Sequence, residues 1–278
     1  MEKSGKQQAV LTSVHNERVK QWTQLLDRKG RDKQGRFLIE GIHLAEEALR
    51  SDVPPEVLVY SAERAEASLR LRKEAAALGI ECVAVMESVL AKCTDTESPQ
   101  PVFAVVPKLP WRPADLLAAS EKGGLVAVID GMQDPGNLGT IIRSADAVGA
   151  SGVLLGKGTV DLYNPKTVRS TMGSLFHLPI VQGDLQEWLP QAASRGVKVV
   201  STRLEDAVSM YEYDFRQPTW FVIGNEGQGV SASVQQLAQH HVRIPMQGRT
   251  ESLNAAMAAT VVLFEAMRQR GGGTKQYS

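Results

Sequence analysis

Short apolar runs alternate with helix-forming segments through the second half of the chain. Near-continuous apolar runs, without a polar residue at every second position, are typical of strands buried on both faces of a parallel sheet. Alternation of strands and helices predicts an α/β fold in which helices cover an open parallel sheet. The runs lie at residues 125–129, 152–155, 197–201, 219–223 and 242–244, and the predicted helices at 138–148, 185–194, 234–239 and 253–270.

The first hundred residues predict a smaller α/β unit. A first helix, capped by Ser13, ends before Gly30, and later helices lie at 43–50 and 62–78. Predicted strands lie at 36–40, 56–60, 80–85 and 102–106. Three prolines between 107 and 113, followed by a short helix at 114–121, predict a linker, because proline cannot donate a sheet hydrogen bond and disfavours helix before it. The predicted organisation is a domain at 1–106, a linker at 107–121, a second domain at 122–270 and a mobile tail at 271–278.

Composition excludes several classes of protein. The 31 basic and 31 acidic residues cancel, and 43% of the 278 residues are hydrophobic, which excludes a disordered chain, a collagen-like chain and a uniformly basic nucleic-acid coat. The longest apolar stretch, 255–264, has 10 residues, whereas a membrane span needs about 20. No signal-like stretch follows the N-terminus, and Cys82 and Cys93 match neither a disulfide framework nor a zinc pattern. We therefore expect a cytoplasmic protein without a metal.

The N-terminal segment is locally basic. Residues 1–36 contain nine Lys or Arg against four acids, a net charge of +5. Such a run is either a solvated helix face or a surface that contacts phosphate backbones. If the segment contacts phosphate backbones, the candidate RNA-binding residues are Arg18, Lys20, Arg28, Lys29, Arg31 and Lys33.

In open α/β sheets, ligands bind in loops that follow the carboxyl ends of the strands. Three predicted loops of this kind carry unusual residues. The first runs from Asp130 to Arg143 with three glycines and a proline, and has neither the dinucleotide fingerprint nor a P-loop. Asn137 either caps the following helix or contributes to a site. Arg143 lies in an apolar stretch and needs an anionic partner or a route to solvent.

The second and third loops add a carboxylate and further polar side chains. The second, from Gly224 to Ser231, has three glycines and carries Glu226, for which Arg143 is a candidate partner. In the third loop, Ser252 and Asn254 precede the last helix. These residues either cap the helix or contribute to a functional site. Three such loops on one predicted sheet favour a shared site.

Taken together, three segments resemble the motifs of the SpoU/TrmH family within the SPOUT superfamily. The segments are Asn137-Leu138-Gly139-Thr140-Ile141-Ile142-Arg143, Ile223-Gly224-Asn225-Glu226-Gly227-Gln228-Gly229, and Ile244-Pro245-Met246 with Ser252-Leu253-Asn254-Ala255-Ala256-Met257-Ala258. The N-terminal part resembles the substrate-binding domain that many members carry, a fold akin to certain ribosomal proteins. Its cues are Asn16-Glu17-Arg18-Val19-Lys20 and Phe37-Leu38-Ile39-Glu40-Gly41.

The resemblance implies an S-adenosylmethionine-dependent RNA ribose 2′-O-methyltransferase. It implies a trefoil knot in the C-terminal domain, a homodimer packed through the knotted region, and no metal. The implied reaction-centre residues are Asn137, Arg143, Glu226, Ser252 and Asn254. The implied cofactor-binding residues are Thr202, Gly224, Asn225, Gly229, Ile244, Met246 and Leu253.

The resemblance also implies that Arg143 is the proton acceptor of the reaction. Because a guanidinium is normally charged in proteins, our hypothesis is that Arg143 stabilises the developing oxyanion or holds a phosphate, oriented by Glu226 and Asn137.

Several functions compete. Ribosomal RNA is the expected substrate, because members with this extra domain mostly act there. Transfer RNA is an alternative substrate, and a non-catalytic module that binds RNA through the same surface is an alternative function. An ordinary nucleotide-dependent α/β enzyme is disfavoured by the missing dinucleotide and P-loop patterns.

Overall fold

A computed structural model describes residues 10–121, 123–203, 206–249 and 252–271. They belong to two compact units. The first unit combines Met1–Leu109 with Asp161–Phe176, and the second combines Pro110–Val160 with His177–Ser278. Within the predicted tail, residues 272–278 lie outside the described part of the chain.

The elements follow the predicted alternation of strands and helices. The strands are β1 (Arg36–Glu40), β2 (Val57–Ser61), β3 (Glu81–Val85), β4 (Val102–Pro107), β5 (Leu125–Ile129), β6 (Gly152–Leu155), β7 (Ile180–Gln182), β8 (Lys198–Thr202), β9 (Val208–Ser209), β10 (Thr219–Ile223) and β11 (His240–Arg243). The helices are α1 (Glu17–Gln24), α2 (Arg28–Gln34), α3 (Ile42–Arg50), α4 (Leu69–Ala77), α5 (Glu87–Lys92), α6 (Pro113–Ser120), α7 (Pro135–Ala147), α8 (Pro165–Ser170), α9 (Leu185–Ser194), α10 (Ala232–Gln235) and α11 (Ala255–Gln269). Single 3₁₀ turns lie at Ala65–Ser68 and Ser174–Phe176.

The first unit is built on a four-stranded mixed sheet in the order β1-β4-β2-β3. Strand β4 pairs antiparallel with both β1 and β2, whereas β2 and β3 are parallel. One face of the sheet packs against α1, where the rings of Trp22 and Phe103 meet edge to face with centroids 5.6 Å apart. All four predicted strands of this unit are confirmed, with bounds that differ by one residue at most.

The start of the chain folds differently from the prediction. Asn16, and not Ser13, caps α1, because its side chain accepts a hydrogen bond from the N–H of Arg18 at 2.9 Å. Gly30 does not end this helix but lies inside a second one, α2. A Cβ at Gly30 would lie 1.9 Å from the carbonyl oxygen of Gln24, so the glycine is required where the two helices meet.

A segment between β6 and β7 joins the first unit. It was expected within the second domain, but Asp161 forms a buried ion pair with Arg31 at 2.6 Å. The ring of Tyr163 also packs on Phe37, with centroids 4.6 Å apart. These contacts explain why residues 161–176 group with the N-terminal unit, which no local pattern of the sequence indicates.

The second unit is built on a seven-stranded sheet in the order β7-β6-β5-β10-β8-β11-β9. Every pair of neighbouring strands is parallel, which confirms the predicted open parallel sheet. The central strands β5 and β10 are buried along their whole length, as their continuous apolar runs predict.

Helix α6 lies within the predicted linker and packs on this sheet. Its residues Leu116 and Leu117 are buried in the same apolar cluster as Val126 and Val222. The hydroxyl of Ser120 accepts a hydrogen bond from the buried indole N–H of Trp220 at 2.7 Å. The linker thus contributes a helix to the core of the second unit.

Among the described residues, no helix is long and apolar enough to cross a membrane. The described part of the chain also brings together no group of three or more histidine, cysteine or acidic side chains able to hold a metal ion.

Candidate active site

The three loops singled out in the sequence meet at the carboxyl edge of the parallel sheet. Asn137, in the first turn of α7, donates from Nδ2 to Oε1 of Glu226 at 3.2 Å. Its Oδ1 accepts from Nδ2 of Asn254 at 3.0 Å. One side chain therefore connects the loop after β5, the loop after β10 and the start of α11, and the predicted convergence of the loops is confirmed.

The start of α7 explains why Asn137 is available for this role. Asp134 caps the helix by accepting from the N–H of Asn137 at 2.8 Å, and Pro135 occupies the first helical position. The capping alternative for Asn137 is therefore wrong. Asp134 is not among the candidate residues predicted from the sequence, although an acidic residue before proline is a common signal for a helix start.

Glu226 is held by hydrogen bonds and not by the expected cation. Its carboxylate accepts from the N–H groups of Gln133 at 3.3 Å and Asp134 at 3.0 Å, besides Asn137. Partial desolvation opposes ionisation, but the hydrogen bonds, including one from its own N–H, outweigh it and lower the pKa of Glu226. The side chain is exposed, so the carboxylate is ionised near neutral pH without a buried partner.

Arg143 does not pair with Glu226, and this part of the hypothesis is wrong. It lies on the exposed face of α7, six residues after Asn137, which corresponds to about 9 Å along the helix axis. Within the described part of the chain it forms no ion pair. Arg143 therefore takes the second option that its position allows, a route to solvent.

The glycine-rich loop after β10 is shaped by its own residues. A Cβ on Gly224 would lie 2.0 Å from the carbonyl carbon of Gly229, so only glycine lets the two ends of the loop close. Asn225 donates from Nδ2 to the carbonyl of Gly131 at 2.9 Å, and its Oδ1 accepts from the N–H of Gly227 at 2.9 Å. The Asn225 side chain is therefore engaged in holding the loop against the turn after β5.

The third loop combines capping with the shared network. Asn254 caps α11 through Oδ1, which accepts from the N–H groups of Ala256 and Met257, while its Nδ2 reaches Asn137. Asn254 therefore both caps the helix and belongs to the hydrogen-bonded network of the site, so both predictions for this residue are correct. Ser252 is exposed beside it, and residues 250 and 251 lie outside the described part of the chain.

The other predicted cofactor contacts lie in or beside the same loops. Ile244 and Met246 follow β11 and are half-buried, whereas Leu253 is 40% exposed next to Asn254. Thr202 ends β8, the strand between β10 and β11, and its carbonyl accepts from Nε2 of Gln235 at 3.1 Å. Parallel strands end at the same edge, so all of them follow or end strands of this sheet at its carboxyl side.

Most of the candidate RNA-binding cations in the first unit are already paired. Arg18 binds Glu81 at 2.7 Å, an interaction that raises the pKa of Arg18 chiefly through the side-chain hydrogen bond. Lys20 pairs with Glu17 at 3.5 Å, and Arg28 with Asp32 at 3.7 Å.

Arg31 and two lysines complete the set of candidates. Arg31 is 2% exposed and binds Asp161, so the structure contradicts its predicted contact with RNA: the buried guanidinium is used internally. Lys29 and Lys33 are exposed and form no ion pair within the described ranges.

Comparisons with known proteins agree with this architecture. Residues 124–264 match the SpoU rRNA Methylase family, and residues 16–104 match the MRM3-like substrate binding domain. The 23S rRNA (guanosine(2553)-2′-O)-methyltransferase RlmP of Bacillus subtilis is 39% identical over 255 residues, which cover 91% of this chain and 97% of that protein. A 23S rRNA (uridine(2479)-2′-O)-methyltransferase of Streptomyces viridochromogenes is 38% identical over 266 residues, covering 93% and 92%.

Among solved structures, the SpoU methyltransferase AviRb of Streptomyces viridochromogenes in complex with AdoMet superposes with a TM-score of 0.84. It is 35% identical, and the match covers 94% of this chain and all of that one. The family match spans more than half of the sequence, and the identities extend over nearly complete chains. The protein therefore belongs to the SpoU rRNA methylase family.

Proposed function

We propose that this protein transfers a methyl group from S-adenosylmethionine to a ribose 2′-hydroxyl of ribosomal RNA. The observation that carries the proposal is the hydrogen-bonded chain from Glu226 through Asn137 to Asn254, which unites the three family motifs in one place. Relatives that match over nearly their whole length are named 23S rRNA 2′-O-methyltransferases, which favours ribosomal over transfer RNA.

The residues around the network suit S-adenosylmethionine. The exposed side chain of Leu253 and the half-buried side chain of Met246 offer apolar surface that an adenine ring would cover. The loop backbone is accessible beside them, because a Cβ at Gly229 or Gly248 would meet no atom within 4 Å. The ionised carboxylate of Glu226 is an acceptor suited to a cationic ligand. When bound, S-adenosylmethionine supplies an activated methyl group on a positively charged sulfur.

The chain's own residues have to align the acceptor oxygen and help it lose its proton. Alignment of reacting groups can supply about 7–11 kcal/mol of the barrier. In this proposal the side chains of Asn137, Ser252 and Asn254 position the acceptor ribose at the loops. The guanidinium of Arg143 stabilises developing negative charge on the oxygen or holds the neighbouring phosphate, and another group or water takes the proton.

The central experiment measures methyl transfer to RNA. Purified protein, S-adenosylmethionine with a labelled methyl group, and unmodified transcripts of 23S rRNA or tRNA are incubated together. We expect label in 23S rRNA at a site that becomes resistant to alkaline cleavage, as 2′-O-methylation requires. Label in tRNA alone would support the alternative substrate, and calorimetry without binding of S-adenosylmethionine or S-adenosylhomocysteine would favour a non-catalytic RNA-binding module.

Two variants test the proposed site. Asn137→Ala should reduce kcat by about 100-fold, because misplacing reacting groups by about 1 Å has that effect. The matched control is Asn16→Ala, which removes an asparagine that caps a helix in the first unit and should leave kcat unchanged. Arg143→Lys should lose most activity, and activity near that of the unmodified protein would refute a bidentate role.

We further propose a homodimer formed through the knotted region. Support comes from α11, where Met257, Val261 and Phe264 are 63%, 37% and 42% exposed at helical spacing and form one apolar stripe. Phe264→Arg should yield a monomer in light scattering, whereas Leu78→Arg, at an exposed leucine of the first unit, should not. A dimer that persists with Phe264→Arg would contradict this interface.

The knot and the cellular location complete the proposal. We also propose that the last strands and α11 form a trefoil knot, which the match to the SpoU family implies. Because the substrate is ribosomal RNA, we also propose a cytoplasmic location.

A further inference from the structure

The turn after β6 is fixed against the first loop of the candidate site. The N–H of Gly156 donates to the carbonyl of Ile129 at 2.8 Å, and the N–H of Val160 donates to the carbonyl of Met132 at 2.8 Å. A Cβ on Gly158 would lie 3.7 Å from Cα of Gly131, so the two turns are in contact. The backbone of residues 156–160 is therefore held in place.

This fixed turn presents a lysine that has no anionic partner. Lys157 is exposed, and it makes no ion pair with any residue that the structure describes. Several arginines of the same unit are paired, for example Arg195 with Glu121 at 3.3 Å and Arg216 with Asp214 at 2.8 Å. An unpaired cation on a rigid turn is suited to bind an anionic group of another molecule.

Lys157 and Glu226 flank the same turn. Strand β6 is a neighbour of β5, and β5 is a neighbour of β10. Because neighbouring strands lie about 4.8 Å apart, the ends of β6 and β10 are separated by about 10 Å. Between them lies the turn at 130–134, which donates N–H groups to Glu226 on one side and contacts residues 156–160 on the other.

We propose that Lys157 binds a backbone phosphate of the RNA strand that presents the acceptor ribose. This inference rests on the proposed function and names a contact that positions the substrate. The site network itself carries a carboxylate, which repels phosphate, so the strand needs a cation outside the network. An extended lysine at the β6 turn reaches a phosphate within a short stretch of strand that also places a ribose at Asn137.

The test measures steady-state methylation of an unmodified 23S rRNA transcript at several salt concentrations. For Lys157→Gln we expect KM for RNA to rise about 4-fold at 0.15 M monovalent salt, and the slope of log affinity against log salt to fall by about 0.7, the value for one single-strand phosphate contact. The limiting rate at saturating RNA stays within about 2-fold, and the affinity for S-adenosylmethionine is unchanged. Lys157→Arg restores both KM and slope.

The matched control is Lys198→Gln, which removes the same charge at the first residue of β8, the opposite end of the sheet. An unchanged KM and slope in Lys157→Gln, or an equal change in Lys198→Gln, would overturn the inference. Failure of the proposed function is distinguishable, because the unmodified protein would then transfer no methyl group. In that case the salt dependence of RNA binding, measured by filter retention, still decides whether Lys157 contacts phosphate.

Discussion

Replacing Arg31 by methionine should destabilise the first unit severely. The guanidinium donates from Nη1 to the carbonyls of Leu25 and Leu26 at 2.9 and 2.7 Å, and from Nη2 to Asp161 at 2.6 Å. Methionine keeps much of the side-chain volume but offers no donor. The carboxylate of Asp161, whose side chain is 12% exposed, then remains without its cation.

The expected loss of unfolding free energy in Arg31→Met follows from these contacts. Removing one partner of a buried ion pair costs about 3–5 kcal/mol, because the other charge stays buried and uncompensated. Each carbonyl that loses its donor adds about 1–3 kcal/mol where water cannot replace it. Protonation or hydration of Asp161 relieves part of the loss, so we expect about 4 kcal/mol in total. That is a large fraction of the about 5–15 kcal/mol that stabilise an ordinary domain.

Hydrogen exchange with peptide resolution is the suitable assay. The slowest amides of β1 and β4 report the free energy of opening of the first unit, and those of β5 and β10 report the second unit. The control is Lys33→Met, at an exposed lysine of the same helix, with an expected effect within about 0.5 kcal/mol. If Arg31→Met differs from this control by less than about 1 kcal/mol, the structural role of Arg31 is refuted.

Two further predictions concern a carboxylate of the site and a helix contact of the first unit. Because folding lowers the pKa of Glu226, its ionised form stabilises the protein above the ordinary value of 4.5, and this stabilisation disappears as pH falls through the lowered value. The difference in unfolding free energy between the unmodified protein and Glu226→Gln should therefore be constant near neutral pH and shrink below about pH 4.5; a difference that grows on acidification contradicts this. Gly30→Ala places a Cβ 1.9 Å from the carbonyl oxygen of Gln24. We expect it to lower the free energy of unfolding, measured with a denaturant, by about 1–3 kcal/mol. An unchanged free energy of unfolding would show that α1 and α2 adjust freely.

The sequence was most informative where a segment is buried on both faces. Strands 125–129, 152–155 and 219–223 and helix 185–194 were predicted to the residue, since apolar continuity or a clear stripe leaves one interpretation. Short elements such as β7 and α8 were missed because their stability comes from packing against distant residues and not from local preference.

At the site, the motifs predicted which loops converge but not how their side chains pair. Glu226 was expected to bind Arg143, whereas it binds backbone N–H groups and Asn137. A spacing in the sequence shows which strand end a residue follows. It does not show on which side of the helix Arg143 emerges relative to a carboxylate from another loop, because that depends on how the helix packs.

The architecture follows from the alternating apolar runs alone, because they require a parallel sheet covered by helices and so place three polar glycine-bearing loops at its carboxyl edge. Which cations remain available to bind an external anion depends on how the segments pack in three dimensions. Arg31 and Lys157 are equally basic in the sequence, yet Arg31 is buried against Asp161 and Lys157 stands exposed on a fixed turn. The physical reason is that a charge must be matched when packing removes it from water, and packing is a property of distant segments brought together.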